Sequence, residues 1–129
     1  MRAHRSLAVV LWLVVAAIMA QAMLAGSGLF GSPHLFELHG WIGSGVLVLA
    51  AIASVLAFVA RQGVVVTFGS VILAAASISQ IGMGYAGRRS GVTQLSALHV
   101  PLGVAMLGLA VAVAVLATVH LRGRARADA

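Results

Sequence analysis

Two histidines stand at corresponding places in two apolar stretches. Leu38-His39 opens one and Leu98-His99 opens another, and each histidine is followed four residues on by a glycine, Gly43 and Gly103. Four residues is about one helical turn, so each glycine shares a helix face with its histidine. A neutral imidazole is a good nitrogen ligand for iron, and a polar ring inside a bilayer is costly enough to mark function. Two imidazoles at one depth supply two axial ligands from opposite faces of a flat macrocycle, a saturated arrangement that favours electron transfer; the macrocycle that suits them is haem. A competing reading needs no cofactor: each histidine hydrogen-bonds across a bundle to Gln21, Gln80 or Ser96 and so orders the helices.

Little else in the chain does chemistry. The 129 residues are 62% apolar and 8% charged, against the quarter or so charged in soluble domains, so the chain reads as an integral membrane protein in contact with the lipid bilayer. The absence of cysteine excludes disulfides, thiolate-bound zinc, iron–sulfur clusters and covalent c-type haem. The only acids are Glu37 and Asp128, and Asp128 belongs to a polar stretch, 122–129, expected as a disordered tail. The formal charge of +6 comes from arginines at the ends of apolar runs, where they anchor to headgroups; no nucleic-acid partner is read from them. Arg2 to Arg5 followed by an apolar run resembles the start of a signal peptide, but the run passes about twenty residues without a small-residue cleavage site, and a retained first helix is expected.

Four stretches reach the length of roughly 20 residues that a membrane-crossing helix needs: 7–25, 35–60, 64–86 and 95–121. Gly26-Ser27-Gly28 to Pro33, Arg61-Gln62-Gly63 and Gly87-Arg88-Arg89-Ser90-Gly91 read as the links between them. The expected fold is all-α, a single transmembrane four-helix bundle of two tandem hairpins. Arg2, Arg5, Arg61, Arg122, Arg124 and Arg126 fall on one side and Arg88 and Arg89 on the other, which places both termini in the cytoplasm and the protein in the cell inner (plasma) membrane. His39 and His99 then lie roughly 6 Å inside the outer face, in one leaflet.

An internal repeat joins the halves: Gln21…Gly28 and then Leu38-His39 with Gly43 is echoed by Gln80…Gly87 and then Leu98-His99 with Gly103. Halves that begin on the same side are related by a pseudo-twofold axis along the membrane normal, which turns the two histidines toward each other. Gly40, Gly43, Gly45 and Gly103 lack the bulk that would block a macrocycle, and Trp41, Leu102 and Met106 are placed to pack on its edges. Arg88 and Arg89 sit where they can pair with its two carboxylates or anchor to headgroups. Gly40 with Ser44 and Ala75 with Ser79 have the small-xxx-small spacing of close helix packing. His4, His34 and His120 read as interfacial.

Phe36-Glu37-Leu38-His39-Gly40-Trp41-Ile42-Gly43 resembles the acidic-residue-then-His-x-x-x-Gly opening of a transmembrane helix in haem A synthases. Ala97-Leu98-His99-Val100-Pro101-Leu102-Gly103 is similar to the Leu-His opening of its partner helix, and Gln80-Ile81-Gly82-Met83-Gly84 to a Gln-x-x-Gly segment between them. The likeness spans nearly the whole chain as one four-helix half of that two-half enzyme, and the pattern also resembles small four-helix membrane proteins of uncharacterised function. It implies haem-facing histidines at His39 and His99, and an acidic residue at Glu37 that stands two positions before the histidine where the family has three. This chain also lacks the second half and any outer-loop cysteine pair, departures that favour a haem-holding scaffold over methyl oxidation.

The expected function is therefore b-type haem binding with bis-histidine ligation by His39 and His99, serving electron transfer or haem handling, alone as a homo-oligomer or within a larger respiratory or redox membrane complex. Two alternatives stand beside it. One is a half-size haem A synthase-like enzyme acting as a dimer and dependent on Glu37; the other is a cofactor-free accessory subunit that docks on a larger membrane complex.

Overall fold

The computed structural model describes residues 2–90 and 93–127, which form α1 (Arg2–Leu29), α2 (Leu35–Val59), α3 (Val64–Ser90) and α4 (Thr93–Ala127). All four helices are long and apolar enough to cross a membrane. α1 packs against α2 and α4, and α3 packs against the same two, so α1 with α3 and α2 with α4 form the diagonals of the bundle.

The helices run further than the sequence suggests. Gly26-Ser27-Gly28 lies within α1, Gly87 to Ser90 within α3, and the 122–129 stretch continues α4 as far as Ala127, with Asp128 outside the described residues. Glycine costs only about 1 kcal/mol in a helix relative to alanine, too little to end one whose neighbours hold it. Arginine and alanine are strong helix formers, and Arg124 and Arg126 sit in the last turn of α4, where a cation suits the helix dipole.

The links are correspondingly short. After α1 the chain turns at Gly31, with φ +134°, and the Ser32 N–H donates to the Ser27 carbonyl at 3.0 Å. After α2 the chain turns with Arg61 in the left-handed position at φ 47°. The Gln62 N–H donates to the Ala57 carbonyl and the Arg61 N–H to the Phe58 carbonyl, both at 3.0 Å. This is a Schellman cap with arginine where glycine is usual.

The core carries the internal repeat more fully than the motifs do. Leu7, Leu11, Val14 and Ile18 of α1 are answered 59 residues on by Val66, Ser70, Leu73 and Ser77 of α3, all buried. Val46, Ala50, Ala53 and Ala57 of α2 are answered 60 residues on by Met106, Ala110, Val113 and Ala117 of α4, again all buried. The 4-3-4 spacing draws one inward stripe down each helix. Alanines on α2 and α4 let the backbones approach while the larger chains of α1 fill the centre. The buried hydroxyls of Ser70 and Ser77 donate to the Val66 and Leu73 carbonyls of their own helix at 2.8 Å, so neither is left unpaired.

The small-xxx-small pairs do not lie at these seams. Gly40, Ala75 and Ser79 are exposed, because the inward stripes run through other positions, and Ser44 and Ser79 donate to the carbonyls of Gly40 and Ala75 within their own helices.

Candidate functional site

The packed core stops partway along the bundle. Beyond the layer of Ile18, Val46, Ser77 and Met106, toward the α1–α2 and α3–α4 links, the one buried position among the described residues is Gly28, against the Phe36 ring. The inward positions there hold glutamine, histidine and glycine in place of leucine and alanine.

His39 lies one turn into α2 and His99 near the start of α4. Because α2 and α4 are diagonal, the rings meet across the centre of the bundle, with centroids 6.0 Å apart and planes inclined at 55°. The sequence-based expectation that they approach each other at one depth is thus met geometrically. A ring nitrogen lies roughly 1.2 Å from its ring centre and binds a first-row metal at roughly 2.0 Å, so two rings on opposite sides of one ion have centres about 6.4 Å apart.

Each histidine is held by the glutamine of its own half. Gln21 Nε2 donates to the His39 carbonyl at 3.0 Å, and His39 Nδ1 is 3.0 Å from the Gln21 carbonyl. A carbonyl only accepts, so this bond requires the proton on Nδ1 and leaves the lone pair on Nε2, the tautomer that a metal-bound histidine needs. The repeat reproduces half of this clasp: Gln80 Nε2 donates to the His99 carbonyl at 2.8 Å. His99 Nδ1 and Gln80 Oε1, by contrast, are buried without hydrogen bonds.

The clasp explains the glycines one turn on. A side chain at Gly43 would collide with the Gln21 amide, and a Cβ at Gly103 would come within 3.3 Å of Gln80 Nε2. The room these glycines release is therefore filled by the two amides. Gly84 does the same for the His99 ring, whose Cε1 lies 3.6 Å from where its Cβ would stand. The sequence reading did not single out that position; a glycine one turn beyond Gln80 was the available sign.

The remaining residues divide. Arg89 is exposed near the end of α3, while the side chains of Arg88 and Ser96 lie outside the described residues. Leu102 packs on the core and Met106 is buried within it, whereas Trp41 is 71% exposed. Glu37 is exposed in the first turn of α2, and His34 and His120 are exposed. His4 departs from that reading: only 9% of its surface is accessible, because α1 continues to Arg2 and carries the ring inward.

Among the described residues no three histidine, cysteine or acidic side chains gather to hold a metal ion. A bare ion needs three or four protein ligands, whereas a macrocycle brings its own four nitrogens and needs one or two. Two imidazoles whose centres lie 6.0 Å apart suit the second case. Comparison with protein-family models, with curated proteins and with solved structures gives no match.

Proposed function

We propose that the chain is a multi-pass protein of the cell inner membrane, with both termini cytoplasmic, that binds one b-type haem between His39 and His99. The observation that carries the reading is the 6.0 Å separation of two imidazoles brought across a diagonal of the bundle, close to the spacing of paired axial ligands. The Nδ1 bond of His39 to a backbone carbonyl supports it, since that partner fixes the ring's orientation and frees Nε2. So does the end of the apolar core at this level, which leaves both rings only half buried by the protein's own atoms. Bound haem would supply one-electron chemistry. Gln21 and Gln80 hold the ligand-bearing backbone. Electron transfer or haem handling is the function that follows, since the described residues near the rings offer no second acid or base.

A second reading rests on the same clasps. Gln21 and Gln80 tie α1 to α2 and α3 to α4 through hydrogen bonds that need no ligand, and a cofactor-free accessory subunit would use them in that way. The experiment that separates the two is purification of the full chain in mild detergent from cells supplied with haem, followed by haem and iron determination per chain. The proposal predicts one haem per chain, lost in His39→Ala and in His99→Ala with helical content retained. A colourless wild-type protein, or haem unaffected by either substitution, overturns it.

A further inference from the structure

The opposite end of the bundle holds a second polar cluster that the haem reading does not use. Gln62, Gly63, Val119, His120, Gly123 and Arg124 line an open groove of about 510 Å³ between the α2–α3 link and the end of α4. His120 Nδ1 lies 3.0 Å from Gln62 Oε1; when it donates there, it turns the amide nitrogen of Gln62 away from the only partner in the pair. That nitrogen is buried without a hydrogen bond. His4, nine-tenths buried near the start of α1 at this end of the bundle, has both ring nitrogens unpartnered.

Unpaired buried donors are costly, and here they share a neighbourhood with cations. Arg2, Arg5, Arg61, Arg122, Arg124 and Arg126 all belong to this end, and Glu37, the acid among the described residues, is at the other. Among the described residues this end thus offers guanidinium, imidazole and amide N–H groups at a helix-end depth and no carboxylate to receive them. Phosphate oxygens match that set: they accept several hydrogen bonds at once and pair with guanidinium in a bidentate manner.

We infer that the groove between Gln62, His120 and Arg124 binds a phosphate group, with the Arg124 guanidinium reaching its oxygens directly and the Gln62 amide N–H and His120 Nδ1–H turning to them as the bond between those two side chains is given up. The source is either the headgroup of an acidic phospholipid or free phosphate. Placement at the helix ends, level with lipid headgroups, suits the first; the openness of the groove admits the second.

The test is native mass spectrometry of the full-length detergent-purified protein with short-chain phosphatidylglycerol, short-chain phosphatidylcholine and inorganic phosphate in separate arms. Binding of phosphatidylglycerol over phosphatidylcholine identifies a lipid source, binding of inorganic phosphate a free one, and either supports the site. Arg124→Gln should weaken that binding about tenfold or more, the loss of a charge-assisted bond pair, whereas Arg126→Gln, which removes the same charge, should change it less than about twofold. Gln62→Leu should fall between them. No binding in any arm, equal binding of both lipids without phosphate binding, or equal losses in Arg124→Gln and Arg126→Gln overturns the proposal, the last because it leaves only diffuse attraction to a basic surface.

Discussion

Gly43→Ala isolates the clasp that holds His39. The new methyl would occupy the place of the Gln21 amide, which must swing away and give up its 3.0 Å bond to the His39 carbonyl. Losing that bond costs about 1–3 kcal/mol if the amide finds no new partner. Against this, alanine is favoured over glycine in a helix by about 0.5–1 kcal/mol. Gly45→Ala carries the same propensity gain without the collision, since nothing lies within 4 Å of its Cβ position. The difference between the two variants therefore reports the clasp alone, and about 1–3 kcal/mol should separate them, with Gly43→Ala the less stable. Gly103→Ala is the repeat's control: at 3.3 Å the Gln80 amide need yield only slightly, so this variant should match Gly45→Ala within about 0.5 kcal/mol. Reversible unfolding in mixed micelles, followed by circular dichroism, measures all three. Equal stabilities for Gly43→Ala and Gly45→Ala would refute the claim that glycine at 43 serves the glutamine.

Other substitutions probe the frame around the site. Arg61→Gly should stabilise the protein by about 1 kcal/mol, because the residue sits at φ 47° in a cap that favours glycine, and the same unfolding assay reads it. Leu11→Ala removes a fully buried side chain from the centre of the bundle and should cost about 2–5 kcal/mol in that assay. Trp12→Phe removes an exposed 3.2 Å bond to Thr118 and should cost less than about 1 kcal/mol. Gln21→Leu removes the side-chain bond to the His39 carbonyl but keeps the backbone carbonyl that accepts from His39 Nδ1, so it should cost about 1–3 kcal/mol in that assay while NMR spectra still show the proton on Nδ1.

The fold was legible because its elements are long and uniformly apolar, and a span of that kind has few other structures open to it. The ends were less so. Gly26-Ser27-Gly28 and Gly87 to Ser90 carry turn chemistry, yet tertiary packing and a continuing helix override it over one turn. Of the site, the approach of His39 and His99 followed from the repeat, since equivalent positions in two similar halves face each other across a bundle. The Gln21 and Gln80 partners were among the candidates, but that they reach the backbone carbonyls of the histidines, and that Gly43 and Gly103 make way for them, depends on rotamers that spacing does not specify. The repeat of buried positions between Leu7 and Ile18 and between Val66 and Ser77 was hidden by chemistry: serine in α3 stands where α1 has leucine and isoleucine, and only burial shows the equivalence. The burial of His4 was missed because arginines on both sides marked it as a surface residue.

The proposed function requires that one iron atom have His39 and His99 as its two axial ligands. Electron paramagnetic resonance of the oxidised, haem-loaded protein addresses it directly, because the signal reports the ligand pair and not merely the presence of haem. Paired ligation gives a low-spin ferric signal of bis-imidazole type in the wild-type protein that becomes high-spin, or is lost, in both His39→Ala and His99→Ala. A high-spin wild-type signal, or a low-spin signal that survives either substitution, would contradict it.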